Sequence, residues 1–212
     1  MQHCLDAMIA ELERRGPAGV RLGFRVIGDG DAGLLLPAER SSIRARDPTR
    51  LRQSGAARSV ARRLLRQLGC EDAAIPRAAS GAPVWPAGFV GSMAHDDALA
   101  VAVVAPVGRV RSVGIDVEPA MPLPEEVEDI AVTPRDRCGG ADPRLASRLL
   151  FCAKEAVFKA VFPLDGEVLG FEDVCVDLQS GLASVPGRSG IGIIGAAGCR
   201  VLALACVEEP PA

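Results

Sequence analysis

Three acids and two lysines in this chain are placed to do phosphoryl chemistry together. Asp116 and Glu118 stand two apart in Gly114-Ile115-Asp116-Val117-Glu118-Pro119, and Glu155 lies between Lys154 and Lys159 in Phe151-Cys152-Ala153-Lys154-Glu155-Ala156-Val157-Phe158-Lys159. Carboxylate oxygens are the donors Mg2+ prefers, and that ion keeps open positions for water and substrate phosphate oxygens. Lys154 and Lys159 are the only lysines of the chain; arginine fills every other basic position. A compact, mobile ammonium suits a transferring phosphate.

Two elements must position these groups. Residues 108–117 are rich in valine and read as a strand closed by Pro119, which cannot donate to a sheet ladder. Side chains two apart share a strand face, so Asp116 and Glu118 point together while Ile115 and Val117 point the other way. A solvated strand end that merely tolerates two acids is the plainer account of the pair. Leu149 to Phe162 holds fourteen residues without Gly or Pro and reads as a helix stopped by Pro163. Phe151, Phe158 and Phe162 recur at helical spacing, which predicts a buried phenylalanine face with Glu155 on it. A bare carboxylate there costs several kcal/mol, on the order of 2–7, unless paired or metal-bound. Its plainer role is a pair with Lys159 four residues on.

Other segments carry weaker signals. Arg58, Arg62 and Arg66 are four apart, opposite Ala61, Leu64, Leu65 and Leu68, so 54–68 reads as an amphipathic helix ended by Gly69. Its basic face is either simply solvated or a phosphate site. Nucleic acid is excluded as its ligand by a formal net charge of −3 and only 3% aromatic residues. His95 follows a Gly-Ser turn at the mouth of a strand, where loops carry function. Ser92, His95 and Asp96 lie too close in sequence to face one another as a hydrolase triad. Gly28 to Gly33 fits Gly-x-Gly-x-x-Gly by letter, but two aspartates inside it would repel a pyrophosphate, so it reads as a hairpin turn. Trp85 is either a packed anchor or a pocket wall.

The 212 residues, 49% hydrophobic and 24% charged, can form one large or two small domains. Seven cysteines without a Cys-x-x-Cys pair fit reduced thiols in a cytoplasm. Asp6, Glu11 and Glu13 make the first helix, about 2–15, unlike a secretion signal. Ile191 to Val207 is broken by glycines and Arg200 and reads as two strands rather than a membrane span. Strands at about 20–36, 89–118 and 170–207 alternate with helices at about 2–15, 54–68 and 143–162, an α+β pattern.

These motifs resemble the 4'-phosphopantetheinyl transferases. Gly114-Ile115-Asp116-x-Glu118 followed by Phe151-x-x-Lys154-Glu155-Ala156-x-Phe158-Lys159 is similar to that family's signature. Pro83-x-Trp85-Pro86 with Gly91-Ser92-x-x-His95 resembles the branch serving enterobactin synthesis (component D type), within the surfactin-synthetase-activating class. The resemblance covers about residues 50–162. It implies two similar subdomains in pseudo-twofold arrangement, 1–112 and 113–212, with the active site in the cleft between them. By position it implies Asp116, Glu118 and Glu155 as ligands of Mg2+, with Mn2+ as an alternative. It implies Arg50, Arg58, His95, Lys154 and Lys159 as residues that bind coenzyme A, and Asp116, Glu155 and Lys159 as catalytic. Two departures touch the coenzyme side: Ala82 replaces the usual basic residue before Pro-x-Trp-Pro, and Gln53, Ser54 and Ala57 replace an acid, an aromatic and a glycine before the arginine.

The implied reaction moves the 4'-phosphopantetheine arm of coenzyme A to a serine of an apo carrier protein domain of nonribosomal peptide, siderophore or polyketide assembly, releasing 3',5'-ADP. Glu155 would act as general base directly or through a water, the relay being preferred because Mg2+ lowers a carboxylate's proton affinity. Arg144 and Arg148 are the candidates to greet an acidic carrier. The protein is expected to be a cytoplasmic monomer. The rival readings are a Mg2+-dependent phosphodiesterase using the same acids and a non-catalytic coenzyme-binding protein.

Overall fold

The computed structural model describes residues 1–44, 46–71 and 73–209. In chain order it contains α1 (Gln2–Arg15), β1 (Arg21–Val26), α2 (Pro37–Ser42), α3 (Pro48–Gln67), β2 (Phe89–His95), β3 (Leu99–Pro106), β4 (Ser112–Pro119), α4 (Glu125–Ala131), α5 (Ala146–Asp165), β5 (Cys175–Asp177), β6 (Leu182–Val185), β7 (Arg188–Ala197) and β8 (Arg200–Val207). All strand pairs are antiparallel, in a three-stranded sheet ordered β1-β3-β2 and a five-stranded sheet ordered β4-β8-β7-β6-β5.

Strand alternation sorts the core into layers. Val101, Val103 and Ala105 of β3 meet Val113, Ile115 and Val117 of β4 and Leu202, Leu204 and Cys206 of β8 in one apolar cluster, which α1 closes with Leu5, Ile9 and Leu12. The opposite face of β3, Ala102 and Val104, packs on Val60, Leu64 and Leu65 of α3. On β8, Val201, Ala203, Ala205 and Val207 pack on α5. The result is helix, sheet, sheet, helix, each strand using a period of two to face two neighbours.

The two halves repeat one another in space. In each, a first strand is followed by a 20-residue helix and a hairpin, and the first strand pairs with the hairpin's last strand. The third residue of each first strand is glycine, under the helix. A Cβ on Gly23 would meet Val60 and Leu64 at 3.1 and 3.3 Å, and one on Gly114 would sit 1.9 Å from the Ala156 carbonyl oxygen. These α+β halves are the similar subdomains expected from the sequence.

Four local expectations need correcting. The first strand stops at Val26, and Asp29–Leu34 is a 3-10 helix, not a hairpin turn, held by the Asp31 carboxylate accepting from Arg25 and the Gly28 N–H. The arginine helix starts at Pro48, six residues early, because Asp47 caps it by accepting from the N–H groups of Thr49 and Arg50. α5 runs past Pro163 to Asp165. Proline in the final turn removes a single backbone donor, and Gly166 at φ 70 ends the helix, its N–H donating to the Phe162 carbonyl. The buried face of α5 is made of Leu149, Leu150, Cys152, Ala153, Ala156, Val157, Ala160 and Val161, whereas Phe151, Phe158 and Phe162 are half-buried on another side.

Lys154 also departs from expectation. Its Nζ lies 2.7 Å from Asp136 Oδ2, both side chains at 0% exposure, and donates to the Phe171 carbonyl at 3.0 Å. Asp136 accepts further from Thr133 and from the Val176 N–H. This satisfied node ties 133–136 and 171–176 to α5, so Lys154 is structural.

Gly114→Ala is expected to lower stability by about 3 kcal/mol or more, because its methyl would collide with the backbone of α5 rather than with a movable side chain. A urea unfolding midpoint equal to that of the unsubstituted protein would contradict this packing.

Candidate active site

β4 presents Gly114, Asp116 and Glu118 to α5, and the missing side chain at 114 brings that helix close enough for Lys159 to reach back. Lys159 Nζ lies 2.6 Å from Asp116 Oδ1, and Asp116 is 6% exposed. Asp116 Oδ2 is buried without a hydrogen-bond partner. The Cys152 thiol, also close to Asp116, donates instead to the Val201 carbonyl oxygen at 3.8 Å. A buried carboxylate oxygen left bare costs about 1–3 kcal/mol, so this atom has unused capacity for a cation or donor.

The other acids share the same field. Burial pushes the Glu118 carboxyl up, the Asp116 charge adds to that, and Arg148 opposes it. Arg148 Nη1 donates to Glu118 Oε2 at 2.7 Å while its other nitrogens hold the Met121 and Pro122 carbonyls at 3.1 and 2.9 Å. Burial likewise pushes Glu155 up; Lys159 pulls it down and the Asp116 charge raises it. Burial works against the Lys159 ammonium, but Asp116 and Glu155 more than offset it and leave its pKa raised. The three acids are thus electrostatic neighbours. Among the described residues, however, no three acidic, histidine or cysteine side chains converge into a ready-made metal cage. The strand carboxylates are each drawn toward a basic side chain of α5.

Beside them opens a cleft of about 570 Å3 between α3, the 77–85 segment, β2 and the C-terminal half of α5. Arg50, Arg58, Arg77, His95 and Lys159 line it, and among the described residues no acid does. Trp85, Met93, Phe158 and Phe162 supply apolar wall. Such a cavity suits a ligand with several negative charges and an uncharged arm.

The sequence-derived residues are placed as follows. Arg50 is exposed in the first turn of α3. Arg58 is buried at 7% exposure and donates to the Ile75 carbonyl at 2.8 Å; burial, with Arg77 and Arg62 nearby, lowers its pKa. His95 ends β2 at the cleft, its pKa lowered by surrounding protein and then by Lys159, against opposing contributions from Asp96 and Asp116. Asp96 turns away to Arg200 at 2.7 Å and to the N–H groups of Ala98 and Leu99, so it forms no triad with His95. Trp85 is both wall and anchor, since a Cβ on Gly91 would lie 2.7 Å from its ring. Lys154 does not line the cleft. Arg62 is not a solvated cation but pairs with the fully buried Glu39. Arg148 is 9% exposed and engaged with Glu118, so it offers nothing to a docking partner, whereas Arg144 is exposed.

Arg77 escaped the sequence reading. It pairs across a turn with Pro83, and its Nε donates to the Gly81 carbonyl at 3.0 Å, which brings its guanidinium to the cleft beside Ala82. The Ser80-Gly81 turn dipeptide was the available signal: it folds position 77 back alongside 83.

A family model described as "4'-phosphopantetheinyl transferase N-terminal domain" matches residues 38–105, and one described as "4'-phosphopantetheinyl transferase superfamily" matches residues 112–187. The chain is 43% identical over 146 residues to the 4'-phosphopantetheinyl transferase Npt of Nocardia iowensis, covering 68% of this chain and 66% of that protein. It is 42% identical over 135 residues to PptT of Mycobacterium tuberculosis, covering 62% and 60%. It is 38% identical over 161 residues to Svp of Streptomyces mobaraensis, covering 72% and 65%. The matched stretch thus spans between three-fifths and two-thirds of each relative's length. With one family model on each half, joined at the strand that carries Asp116, the chain belongs to the 4'-phosphopantetheinyl transferase superfamily.

Proposed function

We propose that this protein transfers the 4'-phosphopantetheine arm of coenzyme A to a serine of an apo carrier protein domain and releases 3',5'-ADP. The observation that carries this reading is a cleft lined, among the described residues, by basic side chains and no acid, opening beside a buried aspartate with one bare oxygen. The cleft runs between the two halves, which we divide as 1–112 and 113–212. Arg50, Arg58, Arg77 and His95 hold the phosphate of the nucleotide end, and Arg77 supplies the charge that Ala82 lacks. Phe158, Phe162 and Trp85 flank the uncharged arm.

The donor set fits Mg2+, with Mn2+ as its substitute: hard oxygens, a bare Asp116 Oδ2, and two further acids whose pKa values burial pushes up and a nearby cation would bring down. Asp116, Glu118 and Glu155 would hold it, and bound there it supplies charge neutralisation at the pyrophosphate. Glu155 receives the proton of the attacking serine through a water rather than directly, because a bound Mg2+ would lower the carboxylate's own proton affinity. The serine oxygen then bonds to the phosphorus bearing the arm as the bond to the ADP phosphate breaks. Lys159, charged and held by Asp116, stabilises the charge that collects on the departing phosphate. Arg148 holds α5 to β4 through Glu118, and Lys154 holds it to the 133–136 and 171–176 segments. Carriers of siderophore or other nonribosomal peptide assembly are the substrates this reading favours, on the strength of the component D-like Pro-x-Trp-Pro segment. Arg144 is the docking arginine that remains free at the surface. In this reading the enzyme works as a cytoplasmic monomer, where coenzyme A and reduced thiols are found together.

Incubated with coenzyme A, Mg2+ and an apo carrier domain, the protein should add one phosphopantetheine to the carrier by mass spectrometry, and Asp116→Asn should reduce kcat/KM by about 10^3 or more. Coenzyme A cleavage without a carrier would point to the phosphodiesterase instead, and binding without turnover to a coenzyme-binding protein. Arg77→Ala should weaken coenzyme A binding about tenfold with kcat held within about twofold, as for the loss of one charged hydrogen bond. Burial and the Lys159 charge lower the pKa of His95, and a bound phosphate would raise it again by favouring the charged form. Calorimetry in buffers of different ionisation enthalpy should therefore show proton uptake on coenzyme A binding, with affinity rising as pH falls from about 8 to about 6. His95→Gln should remove that uptake.

A further inference from the structure

On the side of the molecule where α1 crosses the β7–β8 turn, two thiols 195 positions apart in the chain meet. The Cys199 backbone N–H donates to Cys4 Sγ at 3.2 Å, and the Cys199 thiol points to the Met1 carbonyl oxygen at 3.9 Å, in the residue that caps the same helix. Met8 Sδ lies 4.0 Å from Cys4 Sγ and packs beneath Gly198 of the same turn, which holds the helix and the turn in register. Both cysteines are partly exposed. We propose that Cys4 and Cys199 are an oxidisable pair that closes into a disulfide, with Cys4 as the attacking sulfur and Cys199 as the resolving one.

The roles follow from what surrounds each sulfur. Cys4 receives a hydrogen bond from the Cys199 backbone N–H, the proximity of Cys199 lowers its pKa, and it sits in the first turn of α1, which holds no acid. Cys199 is pushed up by burial and by Cys4, as suits a sulfur that waits until its partner has reacted. Three of the other five cysteines are poorer candidates. Burial pushes Cys206 up to about 12, Cys152 well above the ordinary thiol range, and Cys138 upward.

With hydrogen peroxide as oxidant the balance closes. The Cys4 thiolate attacks a peroxide oxygen, an S–O bond forms as the O–O bond breaks, and hydroxide leaves; the sulfur has lost two electrons. The Cys199 thiolate then attacks the Cys4 sulfur, the S–S bond forms as the S–O bond breaks, and a second hydroxide leaves. Two thiols and one peroxide become one disulfide and two waters. The bond would fasten α1 to the turn bearing Arg200. Because Arg200 holds Asp96 next to His95, the staple lies one ion pair from the cleft, although the proposal does not depend on the cleft's function.

The full-length protein, treated with a stoichiometric amount of hydrogen peroxide and then alkylated, should lose two hydrogens in intact mass and yield one linked peptide pair containing Cys4 and Cys199. Its thermal midpoint should rise by about 5 °C or more, as expected for a long closed loop. Cys199→Ser should leave a sulfenic acid on Cys4 that dimedone traps, whereas Cys4→Ser should leave Cys199 unmodified. Recovery of Cys4 and Cys199 both alkylated after the oxidant is consumed, or linkage of either to a different cysteine, would overturn the pairing. Dimedone on Cys199 rather than Cys4 would overturn the assignment of roles.

Discussion

A carboxylate buried beside one lysine, with its second oxygen unpaired, is not a stable arrangement on its own terms. Asp116 persists in it because β4 is sandwiched: its odd-numbered valines and isoleucine are committed to the inter-sheet core, which leaves the even-numbered side chains no direction but toward α5. The helix can lie there only because position 114 has no side chain to keep it away. Once α5 is that close, Lys159 and Glu155 fall on the side of the helix that faces Asp116, and the raised proton affinity of the neighbouring acids is a consequence of burial rather than of any special chemistry. Packing, in this molecule, comes before electrostatics.

Charge is sorted across that contact. Acids sit at the floor where β4 meets α5, and cations line the wall, three arginines and a histidine from the first half and one lysine from the second. Lys159 belongs to both populations, since it is bonded to Asp116 and opens on the cleft. Separation of the two signs over such short distances keeps a polyanion from being repelled at the wall while a divalent cation is still attracted at the floor. Arg148 fixes α5 against Glu118 and the chain just after β4, and Lys154 fixes it against Asp136 and the Phe171 carbonyl.

What was legible in the sequence was whatever depends on neighbours in the chain. The alternation that sets Asp116 and Glu118 on one face, the first helix, the two closing strands and the three ordered motifs all follow from local pattern. Long-range pairings were not legible. Arg62 and Lys154 read as free cations because their partners, Glu39 and Asp136, lie 23 and 18 residues away and reach them only through the fold. The phenylalanines of α5 were misread for a related reason. Size suggested that they were the core, but a helix seated on a glycine needs alanines beneath it, so Phe158 and Phe162 lie on the cleft side and Phe151 packs on Phe171. Arg77 depended on a turn reversal that returns it to a position where the chain itself has only Ala82.

The inner faces of the two sheets are not separate cores that happen to touch; Val101, Val103, Ile115, Leu202 and Leu204 form one cluster. Severing the chain near residue 110 would therefore not release two small folded units. Each would carry an entire apolar sheet face into water, and the simplest way to hide it would be against a second copy of itself. A half-length forerunner with this architecture would have had to live as a self-paired assembly, and joining the copies end to end would have freed each to specialise, one toward the nucleotide and the other toward the acids.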